Sequence, residues 1–244
     1  MILEVKKGEK LYDIFLDRDH RLYSCAYWKN DTKTLEEAQK NKINHIVKKL
    51  DIKLGHDLTN ERFVKKWFKE NPTQNLINCF AIDDKIDSTV KKSDLFNFPL
   101  EKFSNYFNVN VLALFSVCRE FARNSKNGTI INFSSTYGVV SPNPNLYENS
   151  TKDIAYGVTK AAVINLTKYL AVHLAPKIRV NTIVPGGIKF KQDKKFVNRY
   201  SKLTPMKRMM EKNELNELIN YLSSKNSSYV TGSTIVCDGG YTIW

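Results

Sequence analysis

A chain of 244 residues, 42% of them hydrophobic, can bury one sizeable core and needs no second domain. No stretch approaches the ~20 apolar residues that span a bilayer, and the start MILEVKKGEK lacks a signal-peptide core, so a soluble cytoplasmic protein is expected. The formal charge of +13 comes from lysines spread over the whole chain, without an arginine block or aromatic stripe; it reads as a solvated surface, not a nucleic-acid footprint. Four scattered cysteines with no CxxC pair, and four histidines without ligand spacing, point to no disulfide frame and no metal.

In chain order, short apolar runs alternate with longer amphipathic ones. Strands are expected at Met1–Val5, Leu22–Trp28, Leu76–Ala81, Thr129–Phe133, Val180–Val184 and Thr234–Cys237, each β-branched and bounded by polar residues. Helices are expected at Leu35–Leu50, Asn60–Lys69, Pro99–Asn124, Ile154–Ala175 and Lys212–Ser223. Thr59 or Asn60 is placed to cap the second of these helices. The Pro-, Asn- and Ser-rich stretch Ser141–Asp153 is a loop long enough to serve binding or act as a lid. This βαβα alternation implies an α/β fold with a parallel sheet and helices on both faces. No linker or repeat interrupts 1–244, which is read as a single domain.

Tyr156-Gly-Val-Thr-Lys160 opens a helical run, and residues four apart share a helix face. An ammonium beside a phenol favours the phenolate, which makes Tyr156 a candidate general acid/base. A second Tyr-x-x-x-Lys, Tyr221–Lys225, is read as ordinary helix surface. The first is distinguished by its setting. The strand Thr129–Phe133 ends in Ser134 and Ser135, and the strand Val180–Val184 ends in a Pro-Gly turn. Ligands of parallel sheets bind at such carboxyl ends, where Ser135 would meet a substrate oxygen.

The order of these pieces resembles the short-chain dehydrogenase/reductase family. The matching features are Asn108-Val-Asn110, Ser135-x-x-Gly138, Tyr156-x-x-x-Lys160, Arg179-Val-Asn181, Pro185-Gly186, Thr231-Gly232 and Asp238-Gly239-Gly240. The resemblance implies a Rossmann-like, doubly wound sheet of about seven strands, and hydride transfer between NAD or NADP and an alcohol or carbonyl. It divides the domain into a nucleotide-binding half over 1–100 and a catalytic half over 101–244. By resemblance Ser135 positions the substrate oxygen, Tyr156 exchanges its proton, Lys160 holds the nicotinamide ribose, and Asn110 supports a water-linked proton relay. Asp57, Leu58, Asn78, Ala81, Pro185, Gly186 and Ile188 match cofactor-contacting positions. The family assembles through helices matched by Pro99–Asn124 and Ile154–Ala175, which implies a homodimer or homotetramer. Tyr147-Glu148, Pro185-Gly-Gly-Ile188, Thr204–Arg208 and Tyr241–Trp244 resemble the subgroup of bacterial surface-sugar and flagellin-glycan pathways. Tyr147 and Glu148 then belong to a substrate loop, and the substrate class is a sugar or nucleotide sugar.

The first half departs from the family. The T-G-x-x-x-G-x-G turn, which lets the backbone approach a pyrophosphate, is replaced by Lys6-Lys7-Gly8-Glu9-Lys10. The family's N-N-A-G becomes Asn78-Cys79-Phe80-Ala81, where Phe80 would either fill cofactor space or pack the core. Lys29, after the second strand, would suit the 2′-phosphate of NADP, and Lys6 and Lys7 could stand in as phosphate ligands. Two further readings therefore stay open: a cofactor-free lyase or epimerase on the same scaffold, and a non-catalytic family member that has lost dinucleotide binding.

Overall fold

The computed structural model describes residues 2–3, 57–83, 95–147 and 151–244. The expected strand Leu22–Trp28, the helix Leu35–Leu50, the turn at Lys6–Lys10, Lys29 and Glu148 lie outside the described residues. Within them, five strands form one sheet in sequential order: β1 (Ile2–Leu3), β2 (Asn75–Asn78), β3 (Gly128–Phe133), β4 (Ile178–Pro185) and β5 (Thr234–Cys237).

From β2 to β5 every pairing is parallel, with Asn78 level with Asn132 and Phe133 level with Ile183. The pairing of β1 differs from the parallel first strand expected. It runs antiparallel along β2, with Ile2 opposite Asn78 and Leu3 opposite Ile77. An antiparallel edge on an otherwise parallel sheet is common, because such a pairing needs no crossover.

Helices cover both faces because alternate strand residues point oppositely. Leu76, Ile130 and Val180 enter one fully buried cluster. There they meet α1 (Glu61–Glu70), α3 (Leu114–Asn124) and α4 (Ile154–Leu174). Ile77, Ile131 and Ile183 face the other way, onto Ile219 and Leu222 of α6 (Asn216–Ser223). Each such side chain contributes about 1.5–3 kcal/mol on full burial. Asn60 caps α1, its side chain accepting from Phe63 N at 3.1 Å.

The helix expected over Pro99–Asn124 is realised in three parts. Helix α2 (Leu100–Phe107) runs through a π-helical stretch, Asn108–Ala113, into α3. Helix α6 begins at Asn216 rather than Lys212 because Glu214 is engaged elsewhere. Its carboxylate accepts from Glu211 N at 2.7 Å and pairs with Arg208, holding 208–214 as a loop. One helix was not anticipated: α5 (Lys194–Leu203), capped by Asp193, which accepts from Phe196 N at 2.8 Å. Among the described residues no helix is long and apolar enough to cross a membrane.

Candidate active site

The carboxyl ends of β2, β3 and β4 open onto one cavity of about 510 Å³, within the range of about 300–1,000 Å³ usual for small-molecule sites. Three segments leaving the strands wall it: Cys79–Asp83, Ser134–Tyr137 and Gly186–Ile188. Ser135, Tyr156 and Lys160, singled out in the sequence, all line this space.

After β3 the two serines divide the work. Ser134 is buried and its hydroxyl donates to the Lys160 carbonyl at 2.7 Å, tying the strand end to α4. Ser135 is half-buried and faces the cavity, its oxygen accepting from Tyr137 N at 3.2 Å. Gly138 makes this contact possible. A Cβ there would stand 2.6 Å from Ser134 Oγ and 2.8 Å from the Lys160 carbonyl.

Lys160 lies on α4 with its ammonium buried, donating to the Phe133 carbonyl at 2.9 Å. It sits 5.8 Å from the Tyr156 ring centre. Burial lowers its pKa to about 8, against the opposing pull of Asp83. A second ammonium, that of Lys152, stands 4.5 Å over the Tyr156 ring and is paired with Asp83.

Asn110 is buried behind the cavity. Its side chain accepts from Ile82 N at 2.7 Å and donates to the Ile82 carbonyl and Thr159 Oγ1. It therefore clamps the segment after β2 against α4. The π-helical turn that carries it is a feature often found at functional sites.

Of the other expected cofactor positions, Ala81, Pro185, Gly186 and Ile188 line the cavity. Gly186 is pressed against the chain after β5: its N–H donates to the Cys237 carbonyl at 2.8 Å, and a Cβ would meet Asp238 Cα at 2.8 Å. Asp57, Leu58 and Asn78 do not line it. Asp57 is exposed at the start of α1, where hydrogen bonds from Thr59 hold its carboxyl below the usual range. Leu58 packs on the core. Asn78 donates to Asn132 Oδ1 at 2.8 Å inside the sheet. Phe80 both packs on the core and lines the cavity, so the two roles weighed for it are not exclusive. The second Tyr-x-x-x-Lys straddles the end of α6, with Tyr221 exposed and outside the cavity wall.

The remaining wall is aromatic. Tyr147, expected in the substrate loop, is buried there, its hydroxyl against that of Tyr137. Desolvation raises the pKa of both, so both stay neutral hydroxyls. Tyr200 accepts from Gly187 N at 2.5 Å and stacks on Tyr241 at 4.8 Å. Tyr137, Phe196, Tyr200, Asp83 and Lys152 were not singled out from the sequence. The one available signal was the four-residue spacing of Phe196 and Tyr200 behind the capping residue Asp193.

Residues 25–242 match the family profile described as enoyl-(acyl carrier protein) reductase. The chain is 34% identical over 156 residues to a glucose 1-dehydrogenase of Gluconobacter oxydans, covering 59% of this chain and 56% of that one. It is 37% identical over 125 residues to the post-translational flagellin modification protein A of Campylobacter coli, covering 50% and 49%. The chain thus spans about half the length of each of these relatives. Among solved structures, a short chain dehydrogenase of Leptospira borgpetersenii with bound NAD+ superposes with a TM-score of 0.68 at 33% identity, covering 77% of this chain and 74% of that one. With a profile match over nearly its whole length and this similarity in fold and sequence together, the chain belongs to the short-chain dehydrogenase/reductase family.

Proposed function

We propose that the chain is a nicotinamide-dependent oxidoreductase acting on a hydroxyl or carbonyl group of a sugar or related polyol, with Tyr156 as its general acid/base. One observation carries this reading. The half-buried phenol of Tyr156 shares a cavity at the strand carboxyl ends with Ser135 and with the buried ammonium of Lys160.

The described residues fit the nicotinamide end of a dinucleotide. Lys160 brings a buried cation to the cavity, and the Pro185–Ile188 turn adds a wall held rigid by its contact with Asp238. Lys160, Pro185, Gly186 and Ile188 would hold that end, while Ala81 would flank it and Asp57 and Leu58 would serve the adenine. When bound, the group supplies the hydride acceptor or donor. Ser135 orients the substrate oxygen. Tyr156 takes the hydroxyl proton, or returns it in the reverse direction. Positive charge from Lys160 beside its ring stabilises the phenolate, while the charge of Lys152 is met by Asp83. Asn110 keeps the segment after β2 in place behind them. The sugar reading draws support from the relatives named as a glucose dehydrogenase and a flagellin modification protein.

Phe80 favours a second reading, a cofactor-free enzyme on the same scaffold, because it occupies part of the cavity wall. Titration with NADH and NADPH, followed by nicotinamide fluorescence, separates the two. Saturable binding is expected; no binding at millimolar cofactor overturns the oxidoreductase reading. Tyr156→Phe should then cut turnover by about 10²–10⁴-fold while cofactor binding and the melting temperature persist.

A further inference from the structure

We infer that Asp83 and Lys152 form a clamp that recognises hydroxyl groups of the substrate away from the reacting carbon; this rests on the proposed reaction at Tyr156. The two residues reach the cavity from different rims. Asp83 lies in the segment that leaves β2, and Lys152 lies just ahead of α4. Their side chains pair across the cavity mouth, with Lys152 only 10% exposed and Asp83 45% exposed. Both line the same space as Ser135 and Tyr156.

Anchoring of the loop does not explain the pair. The start of α4 is already fixed one residue later, where Asp153 pairs with Lys102 at 2.6 Å and accepts from the Tyr106 hydroxyl at 3.2 Å. Stability does not explain it either. Desolvating an ammonium to this degree offsets most of what the pairing contributes.

Recognition does explain it. A carboxylate accepts at two oxygens and an ammonium donates three N–H bonds, so after one mutual bond each still has capacity for a ligand. Hydroxyl groups both donate and accept, and they satisfy such a pair without adding charge. The rest of the wall suits the same ligand. Tyr137, Tyr147, Phe190, Phe196 and Tyr200 offer apolar faces to the C–H bonds of a sugar. A simple apolar alcohol would cover those faces but leave the ion pair desolvated and unmatched, which is costly. Lys152 stands over the Tyr156 ring, so the recognised hydroxyl lies a few bonds along the carbon chain from the reacting one.

The test is equilibrium binding by ligand-observed NMR. Sorbitol, D-arabinitol and D-glucose are compared with cyclohexanol, with and without NADH or NADPH. The proteins are the wild type, Lys152→Met, Asp83→Asn and Lys152→Arg, each checked by thermal melt. At least one polyhydroxylated probe should bind the wild type in preference to cyclohexanol. Binding should weaken about tenfold or more in Lys152→Met and Asp83→Asn, and recover partly in Lys152→Arg. Cyclohexanol binding should be the same in all four proteins. Equal affinity of the wild type for cyclohexanol and the polyols, absence of polyol binding, or unchanged polyol binding in the variants would each overturn the clamp. Because this readout needs no hydride transfer, polyol binding without nicotinamide binding retains the clamp and removes the oxidoreductase reading; the converse removes the clamp alone. With turnover in hand, Lys152→Met should raise the polyol KM while kcat and its pH profile hold. A fall in kcat with a shifted profile and unchanged KM assigns Lys152 to Tyr156 and overturns the clamp.

Discussion

The two sides of the cavity are built by different means. The side formed by 134–138, α4 and 185–187 depends on close approach of backbones. Gly138 lets Ser134 reach Lys160, and Gly186 lets β4 touch Asp238. The opposite side depends on large side chains from 190–209 and 137–147, stacked on one another at ring distances such as 4.8 Å for Tyr200 and Tyr241 and 5.8 Å for Tyr147 and Phe196. A backbone contact tolerates no added atom. A stacked aromatic wall can shift and refill. The first side should therefore be intolerant of change and hold the reacting groups, while the second can vary and set what is accepted.

Three experiments break or sharpen this contrast. The largest effect is expected from Gly138→Ala. Its new methyl would press into Ser134 Oγ and the Lys160 backbone, and denaturant unfolding should show a loss of about 1–3 kcal/mol or more. A loss under about 0.5 kcal/mol would mean that this side is as forgiving as the other. Next comes Lys160. It titrates near pH 8 in the folded chain but at its normal value, about 10.5, when unfolded. Between these values the unfolded state binds more protons, so this group makes stability rise with pH through that window, with its penalty fully present below it. Unfolding at pH 7.5 and pH 10 should show that rise to be smaller in Lys160→Met than in the wild type; equal rises would remove the buried-cation account. The smallest effect is expected at Tyr200→Phe, which deletes one hydrogen bond to Gly187 N but keeps the stack. It should cost about 1 kcal/mol in a thermal melt and leave kcat within a few-fold.

The same contrast explains what could be read from the sequence. Strands from Leu76 onward, α4 and the Asn60 cap are local patterns, and they fell within a few residues of their expected bounds. Ser135, Tyr156 and Lys160 were legible because a strand end and a helix face, both local patterns, bring them to one cavity. A tertiary contact such as Arg199 Nε donating to the Leu146 carbonyl carries no such periodicity. Helix α5 was missed because its ten residues hold few apolar positions, and its aromatic residues declare a role only when Tyr147 packs against them. Lys152 is one of many lysines, and its partner Asp83 lies 69 residues away. Even the recognisable motifs hide their work. Arg179 donates to the carbonyls of Leu222, Ser224 and Val230, and Asp238 accepts from Gly240 N, Thr242 N and Thr242 Oγ1. Both hold the scaffold rather than the cavity.

A last consequence follows from the polar line inside the sheet. Asn78 of β2 donates to Asn132 of β3, which donates in turn to Thr167 of α4 at 2.9 Å. Each of the three is buried. Replacing any one with an apolar residue strands the next, whereas replacing all three together with shapes that fit removes the need for the chain of bonds. The cost of each substitution therefore depends on which others have already been made. These positions should change hands as a block, along mutational routes that pass through a less stable intermediate.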